Sequence, residues 1–221
     1  MKDFKGAIFD LDGTLLDSMG IWAKIDERFL AKRGIALPED YVEKVTPMSY
    51  GDAADYTISR FSLPETAEEV IAEWIALSKE AYRSEIRLKP YAETYLRQLK
   101  SKGVKLAVAT AQAEELYRPA LQNNGVLGLF DAFADLSEVA RGKGFPDVYL
   151  LAAQRVGLKP GDCMVFEDIS LGIRGAKAVG FHTCGVYDPY SEYEKETIQR
   201  EADGYIRSYL ELCEPESRQG R

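Results

Sequence analysis

Two acids one residue apart, Asp10 and Asp12, stand where an apolar run stops in Lys5-Gly6-Ala7-Ile8-Phe9-Asp10-Leu11-Asp12-Gly13-Thr14-Leu15. Ala7 to Phe9 is too short for a helix and reads as a buried parallel strand, so Asp10 falls at a strand's carboxyl end. In open α/β sheets that edge is where ligands bind, and an acid two positions further on points the same way if the pleat persists. Carboxylates that close repel, so the pair makes chemical sense with a cation between them, or with one of them holding a proton. Both conditions suit phosphoryl transfer. Asp-Gly is also a common turn pair, and an acid after a strand is often only the N-cap of the next helix.

Later stretches weigh in that choice. Thr110 follows the apolar run Val104 to Ala109, and Glu167-Asp168 follow Cys163 to Phe166. Repeated strand-then-helix units imply a doubly wound parallel sheet with helices on both faces, an α/β fold in which Asp10, Thr110 and Asp168 converge on one edge. Hard divalent cations take oxygen ligands, and Mg2+ is commonly held by one or two carboxylates plus water and substrate phosphate. Asp10 and Asp168 supply that pair, with Glu167 supporting them from behind. The loop Arg141-Gly142-Lys143-Gly144-Phe145-Pro146-Asp147 offers two neighbouring cations, Lys143 and Arg141. Each has a plainer reading: Thr110 as N-cap of the helix starting near Ala113, the two acids as caps of the helix after them, Lys143 as a solvated lysine.

The elements that must position these residues alternate from about residue 91 onward. A helix at 91–102 closed by Gly103 leads to the strand 104–109, a helix at 113–123, a weak strand at 130–134 and a helix from Pro146 to Val156. Then come the strand 163–166, a helix at 170–179, a strand at 181–186, a helix near 192–201, the short strand 204–206 and a last helix to about Leu212. Between 18 and 88 the pattern is helical throughout. Asp17-Ser18 reads as a capping pair, Ile21, Ile25, Phe29 and Leu30 recur at helical spacing to Gly34, and Ala53 to Phe61 suggests a second helix. Pro64 opens a third, with Val70, Ile71, Trp74, Ile75 and Leu77 on its apolar face. A strand–helix–strand crossover needs one helix rather than three or four, so this insertion reads as a separate helical domain. The expected limits are 1–17 with 89–221 for the α/β core and 18–88 for the insertion, and Leu88-Lys89-Pro90-Tyr91 is the return linker.

At 221 residues the chain holds one α/β domain plus a small second one. Its net charge of −8 disfavours nucleic acid as a partner, which needs a basic stripe. No long apolar segment exists, and Met1-Lys2-Asp3-Phe4 runs straight into the first strand, so no membrane partner is expected and the cytoplasm is the default. The three cysteines, Cys163, Cys184 and Cys213, are odd in number and widely spaced, which suits reduced thiols and no metal pattern. A monomer is expected. His182, the one histidine, falls within a predicted strand and is an unpromising catalyst. Residues 214–221 are polar and read as a disordered tail.

The run Phe9-Asp10-Leu11-Asp12-Gly13-Thr14-Leu15-Leu16-Asp17-Ser18 resembles the first motif of the haloacid dehalogenase (HAD) superfamily, with wording close to its phosphoglycolate phosphatase and β-phosphoglucomutase branch. The later motifs match in order, so the resemblance covers most of the chain outside 19–88. It implies a Rossmann-like core with a helical cap, and Mg2+-dependent hydrolysis of a small phosphorylated metabolite through an aspartyl-phosphate. Asp10 would be the nucleophile and Asp12 the general acid and base, a residue that dehalogenases lack. Asp10, Asp168 and the backbone carbonyl of Asp12 would hold the metal, and Thr110, the N–H of Ala111 and Lys143 the phosphate. The chain departs from the family at Gly144, where a proline is usual, and at Ala111-Gln112, where Gly-Ser or Asn is commoner.

The mutase alternative turns on the cap. By resemblance, that branch carries a cap histidine where this chain has Trp22, and a cap arginine in the following loop. Here the insertion has no histidine, and Val45-Thr46-Pro47-Met48-Ser49-Tyr50 offers no cation, although Lys44 adjoins it. Trp22 is either a substrate contact from the cap or a residue of the cap's own core. Two rivals are not enzymes. A response-regulator receiver domain has similar residues, but there the acidic pair comes first and the acceptor later, the reverse of the order here. An inactive phosphate-binding protein would keep the same fold.

Overall fold

The computed structural model describes residues 3–45, 48 and 50–214. Of the loop Val45 to Tyr50, residues Thr46, Pro47 and Ser49 lie outside the described residues, as does the tail 215–221. The chain divides into two compact units, residues 1–19 with 86–221, and residues 20–85.

The first strand, β1 (Gly6–Phe9), is buried along its whole length, as a four-residue apolar run must be to remain a strand. A tight turn follows in which the Leu11 carbonyl accepts N–H bonds from Thr14, Leu15 and Leu16, and β2 (Leu16–Asp17) ends the segment. The second unit then builds α1 (Ile21–Ala31), α2 (Tyr41–Val45), α3 (Tyr50–Phe61) and α4 (Ala67–Ser84). Helix α1 buries Ile21, Ile25, Phe29 and Leu30, the expected face. Its N-cap, however, is Gly20 without a side-chain bond, and Ser18 points elsewhere. Helix α2 is unforeseen by periodicity, being barely one turn long. Helix α4 begins at the capping box of Thr66 and Glu69 rather than at Pro64. Its buried seam is Val70, Trp74, Ser78, Ala81 and Tyr82, while Ile75 is exposed. Steps of four and three keep that seam on one stripe, and a face broad enough to include Ile75 overshoots it.

The return strand β3 (Arg87–Leu88) pairs antiparallel with β2, so extended structure already starts within the range expected to be helical. From there α5 (Ala92–Ser101), β4 (Lys105–Thr110), α6 (Glu114–Asn123), β5 (Ala132–Asp135), α7 (Asp147–Arg155), β6 (Cys163–Glu167), α8 (Ser170–Lys177), β7 (His182–Val186), α9 (Lys195–Glu201) and β8 (Gly204–Ile206) alternate. The final predicted helix is only a 3-10 turn at Tyr209–Glu211.

Six strands form one parallel sheet in the order β5-β4-β1-β6-β7-β8. Alternate residues feed two cores. Ile8, Val165 and Ala107 pack with Tyr149 and Ala152 of α7 on one face. Phe9 and Phe166 stack at 4.5 Å on the other, against Tyr95 of α5 and Tyr209. Both faces being covered explains the unbroken apolar runs. The chain moves to opposite sides of β1 in its two halves, which opens the crevice at the carboxyl ends of β4, β1 and β6. His182 is the first residue of β7, at the opposite edge, rather than inside the strand. Cys163, Cys184 and Cys213 are free thiols, and among the described residues no helix is long and apolar enough to cross a membrane.

Candidate active site

Register brings the chemistry together. Phe9 pairs with Val108 on one side and Phe166 on the other, so Asp10 emerges between the ends of β4 and β6. Asp10 is 3% exposed, and its N–H is held by the Phe166 carbonyl at 3.0 Å. Ligand oxygens of Asp10, Glu167 and Asp168 all lie within 4.8 Å of one another. Burial raises the pKa of Asp10, partly against Lys143, and raises that of Glu167 likewise. Burial, then the charges of Asp10 and Glu167, push Asp168 well above the carboxylate range.

Lys143 is the cation of this cluster. Its Nζ contacts Asp10 Oδ1 and lies 2.8 Å from Glu167 Oε1. Burial opposes the ammonium's charge, but Asp10 and Glu167 outweigh it and its pKa is raised. The rival Arg141 is exposed and committed to Asp147 at 2.6 Å. Glu167 is fully buried; its Oε1 accepts from the Tyr149 hydroxyl at 2.8 Å and pairs with Lys143, and its Oε2 accepts from Asp168 N at 3.2 Å, so both its oxygens serve the framework. One ammonium among three buried carboxylates leaves negative charge uncompensated, and a divalent cation is the complement such a donor set takes. The residues present therefore fit a hard metal ion.

Asp12 is delivered by the turn after β1 rather than by a continuing pleat. Gly13 makes that turn with φ +77, and a Cβ there would lie 2.3 Å from Asp168 Oδ2, so only glycine fits. Asp12 stays partly exposed, its Oδ1 accepting from the Ser18 hydroxyl at 2.5 Å, and it raises the Asp10 pKa through its charge. Thr110 ends β4, buried, its hydroxyl accepting from Gln112 N at 3.1 Å. The cap of α6 is Ala113, so Thr110 is not its N-cap. Ala111 follows, exposed. Trp22 lies half-buried on α1 of the other unit, off that helix's buried face.

Four further side chains hold the site's acids in roles that the sequence pattern does not assign to them. Thr14 Oγ1 reaches Asp168 Oδ1 at 3.0 Å and Asp10 Oδ2 at 3.3 Å, bridging two of the acids. Ser18 reaches Asp12, Tyr149 reaches Glu167, and Ser191 Oγ donates to Asp168 Oδ2 at 3.0 Å. Thr14 and Ser18 lie inside the first motif and were findable by their proximity; nothing in the sequence flags Ser191. Within α8, a Cβ at Gly175 would sit 2.2 Å from the Lys143 carbonyl, so that glycine admits the lysine loop.

Comparison with known proteins decides the family. Residues 4–180 match the model of haloacid dehalogenase-like hydrolases. The chain is a member of that family. It is 33% identical over 201 residues to a probable pseudouridine-5'-phosphatase of Drosophila melanogaster, covering 85% of this chain and 84% of that one. Hexitol phosphatase A of Escherichia coli K12 is 32% identical, with 84% of each covered. In fold it is similar to the crystal structure of a putative beta-phosphoglucomutase from Thermotoga maritima, at TM-score 0.81 and 23% identity, covering 91% of this chain and 94% of that one. This HAD enzyme is a phosphoric monoester hydrolase, and its parallel sheet is the Rossmann-like HAD core.

Proposed function

We propose that this HAD enzyme is a Mg2+-dependent phosphatase that hydrolyses a small phosphorylated metabolite through an aspartyl-phosphate on Asp10. The observation that carries the reading is the buried cluster of Asp10, Lys143, Glu167 and Asp168 beside a partly exposed Asp12. Mg2+, held by Asp10, Asp168 and the Asp12 carbonyl, would offset negative charge on the phosphate and on the attacking carboxylate.

Asp10 attacks phosphorus in line; the new O–P bond forms as the ester P–O bond breaks, and Asp12 gives its proton to the departing alcohol. Asp12, now ionised, takes a proton from water as that water attacks the aspartyl-phosphate, releasing phosphate and restoring Asp10. Lys143 neutralises Asp10 and faces the incoming anion, while the Thr110 hydroxyl and the Ala111 N–H hold phosphate oxygens. The exposure of Asp12 supports its role, since a group that exchanges protons with alcohol and water must reach both.

The helical unit 20–85 serves as the cap, with Trp22 a substrate contact. Phosphatase is favoured over mutase because this unit carries no histidine to handle a second phosphoryl group. The relatives named pseudouridine-5'-phosphatase and hexitol phosphatase support a small sugar-containing phosphate as the substrate class. The test is phosphate release from aryl and sugar phosphates with Mg2+ and with chelator, for wild type and Asp10→Asn. Turnover that survives the chelator removes the metal role, and turnover that survives Asp10→Asn removes the nucleophile.

A further inference from the structure

No step above uses Lys89 or Asp188, although both are nearly buried, at 11% and 1% side-chain exposure. Lys89 follows β3 where the chain returns to the core, and Asp188 lies two residues past β7, at the carboxyl edge. Lys89 Nζ donates to the Tyr187 carbonyl at 2.5 Å and pairs with Asp188 Oδ2 at 2.9 Å. Among the described residues no well-directed hydrogen bond reaches that oxygen, so the ion pair is its whole compensation. Asp188 Oδ1 accepts from Tyr190 N at 2.9 Å and its carbonyl accepts from Ser191 N at 3.1 Å, which starts the 3-10 turn Pro189–Glu194. That turn aims the Ser191 hydroxyl at Asp168 Oδ2. The Lys89 N–H bonds the Leu15 carbonyl at 2.8 Å, which ties the linker to the segment bearing Asp10, Asp12 and Thr14.

We propose that Lys89, Asp188 and Ser191 form a positioning relay that holds the Asp168 carboxylate in its metal-ready orientation. The relay rests on the Mg2+ phosphatase reading. A carboxylate oxygen has two acceptor directions. With Thr14 on Oδ1 and Ser191 on Oδ2, rotation of the group is stopped from both sides while each oxygen keeps a direction open for a cation. Lys89 acts two steps back, by fixing the acid on which the turn of Ser191 is built.

The test titrates Mg2+ calorimetrically into substrate-free protein and, separately, into p-nitrophenyl phosphate hydrolysis. Ser191→Ala should weaken Mg2+ binding by about 10–100-fold, the usual loss when a ligand's outer hydrogen bond is removed. The Mg2+ concentration for half-maximal rate should rise in step, with a far smaller change in KM for the ester. Ser191→Thr keeps the hydroxyl and should restore binding. Lys89→Met should weaken binding alone but add no more than about twofold in the Ser191→Ala background, because the two act in one line. Asp188→Asn, which keeps the oxygen facing Tyr190, replaces Lys89→Met if that variant fails to fold. Unchanged Mg2+ affinity in Ser191→Ala, or fully additive losses in the double variant, overturns the relay. A wild type that binds no Mg2+ overturns the Mg2+ reading and the relay with it, whereas Mg2+-dependent turnover indifferent to Ser191 sinks the relay alone.

Discussion

Replacing Lys143 by methionine keeps length and removes charge, and so isolates what the ammonium does for the buried acids. Lys143, Asp10 and Glu167 are 10%, 4% and 0% exposed at their side chains, which leaves little solvent screening to discount. Taking one partner from such a pair costs about 3–5 kcal/mol, since the other charge stays buried. At 2–4 °C per kcal/mol for a chain of this length, the Tm should fall by on the order of 10 °C. The cost must depend on pH, and its sign follows from the shifts. Burial raises Asp10 and Glu167 while Lys143 pulls them down, so its removal raises them further. A carboxyl raised in the folded state costs nothing below its unfolded pKa, near 4, and destabilises increasingly as pH climbs through the folded value. Lys143 is itself raised and remains charged throughout that window. Urea unfolding followed by circular dichroism in chelator, at pH 5, 6.5 and 8, should therefore give a penalty that grows with pH. A penalty below about 1 kcal/mol at pH 8, the worth of a surface pair, or one that shrinks with pH, would refute this electrostatic account.

Asp12→Asn should cut kcat on an alkyl phosphate by about 10²–10⁴-fold, the range of general acid–base catalysis, with a smaller loss in aspartyl-phosphate formation from an aryl phosphate whose leaving group needs no proton. Rapid quench of the phosphoenzyme separates the two steps. Tyr91 holds φ +65 at the start of α5 and is half exposed. Tyr91→Gly relieves about 1–2 kcal/mol of left-handed strain against about 0.5–1 kcal/mol of added chain entropy, so the Tm should rise slightly; a fall would show that the conformation is not strained. Incubation with β-glucose 1-phosphate and a trace of the 1,6-bisphosphate should release phosphate without building up glucose 6-phosphate, and rapid isomer formation with little free phosphate would reverse the choice of phosphatase over mutase.

What the sequence made legible was whatever depends on a strand's end. Asp10, Thr110 and Asp168 could be gathered from across the chain because each follows a short apolar run, and β4, β1 and β6 are neighbours in the parallel sheet. Lys143 was harder, since it enters from a loop and is admitted only because Gly175 leaves room for its backbone. Ser191 was out of reach. Its hydroxyl meets Asp168 through a turn whose geometry depends on an ion pair between residues 89 and 188, and no periodicity or spacing encodes a contact of that kind. Ser18 shows the converse failure. Beside Asp17 it has the local form of a helix cap, yet it donates to Asp12, because the helix starts at Ile21 and the turn after β1 brings the acid back within reach. Local rules assign a polar side chain to its nearest backbone partner. At this carboxyl edge the clustered carboxylates compete for nearby hydroxyls, and Thr14, Ser18 and Ser191 all donate to carboxylates instead.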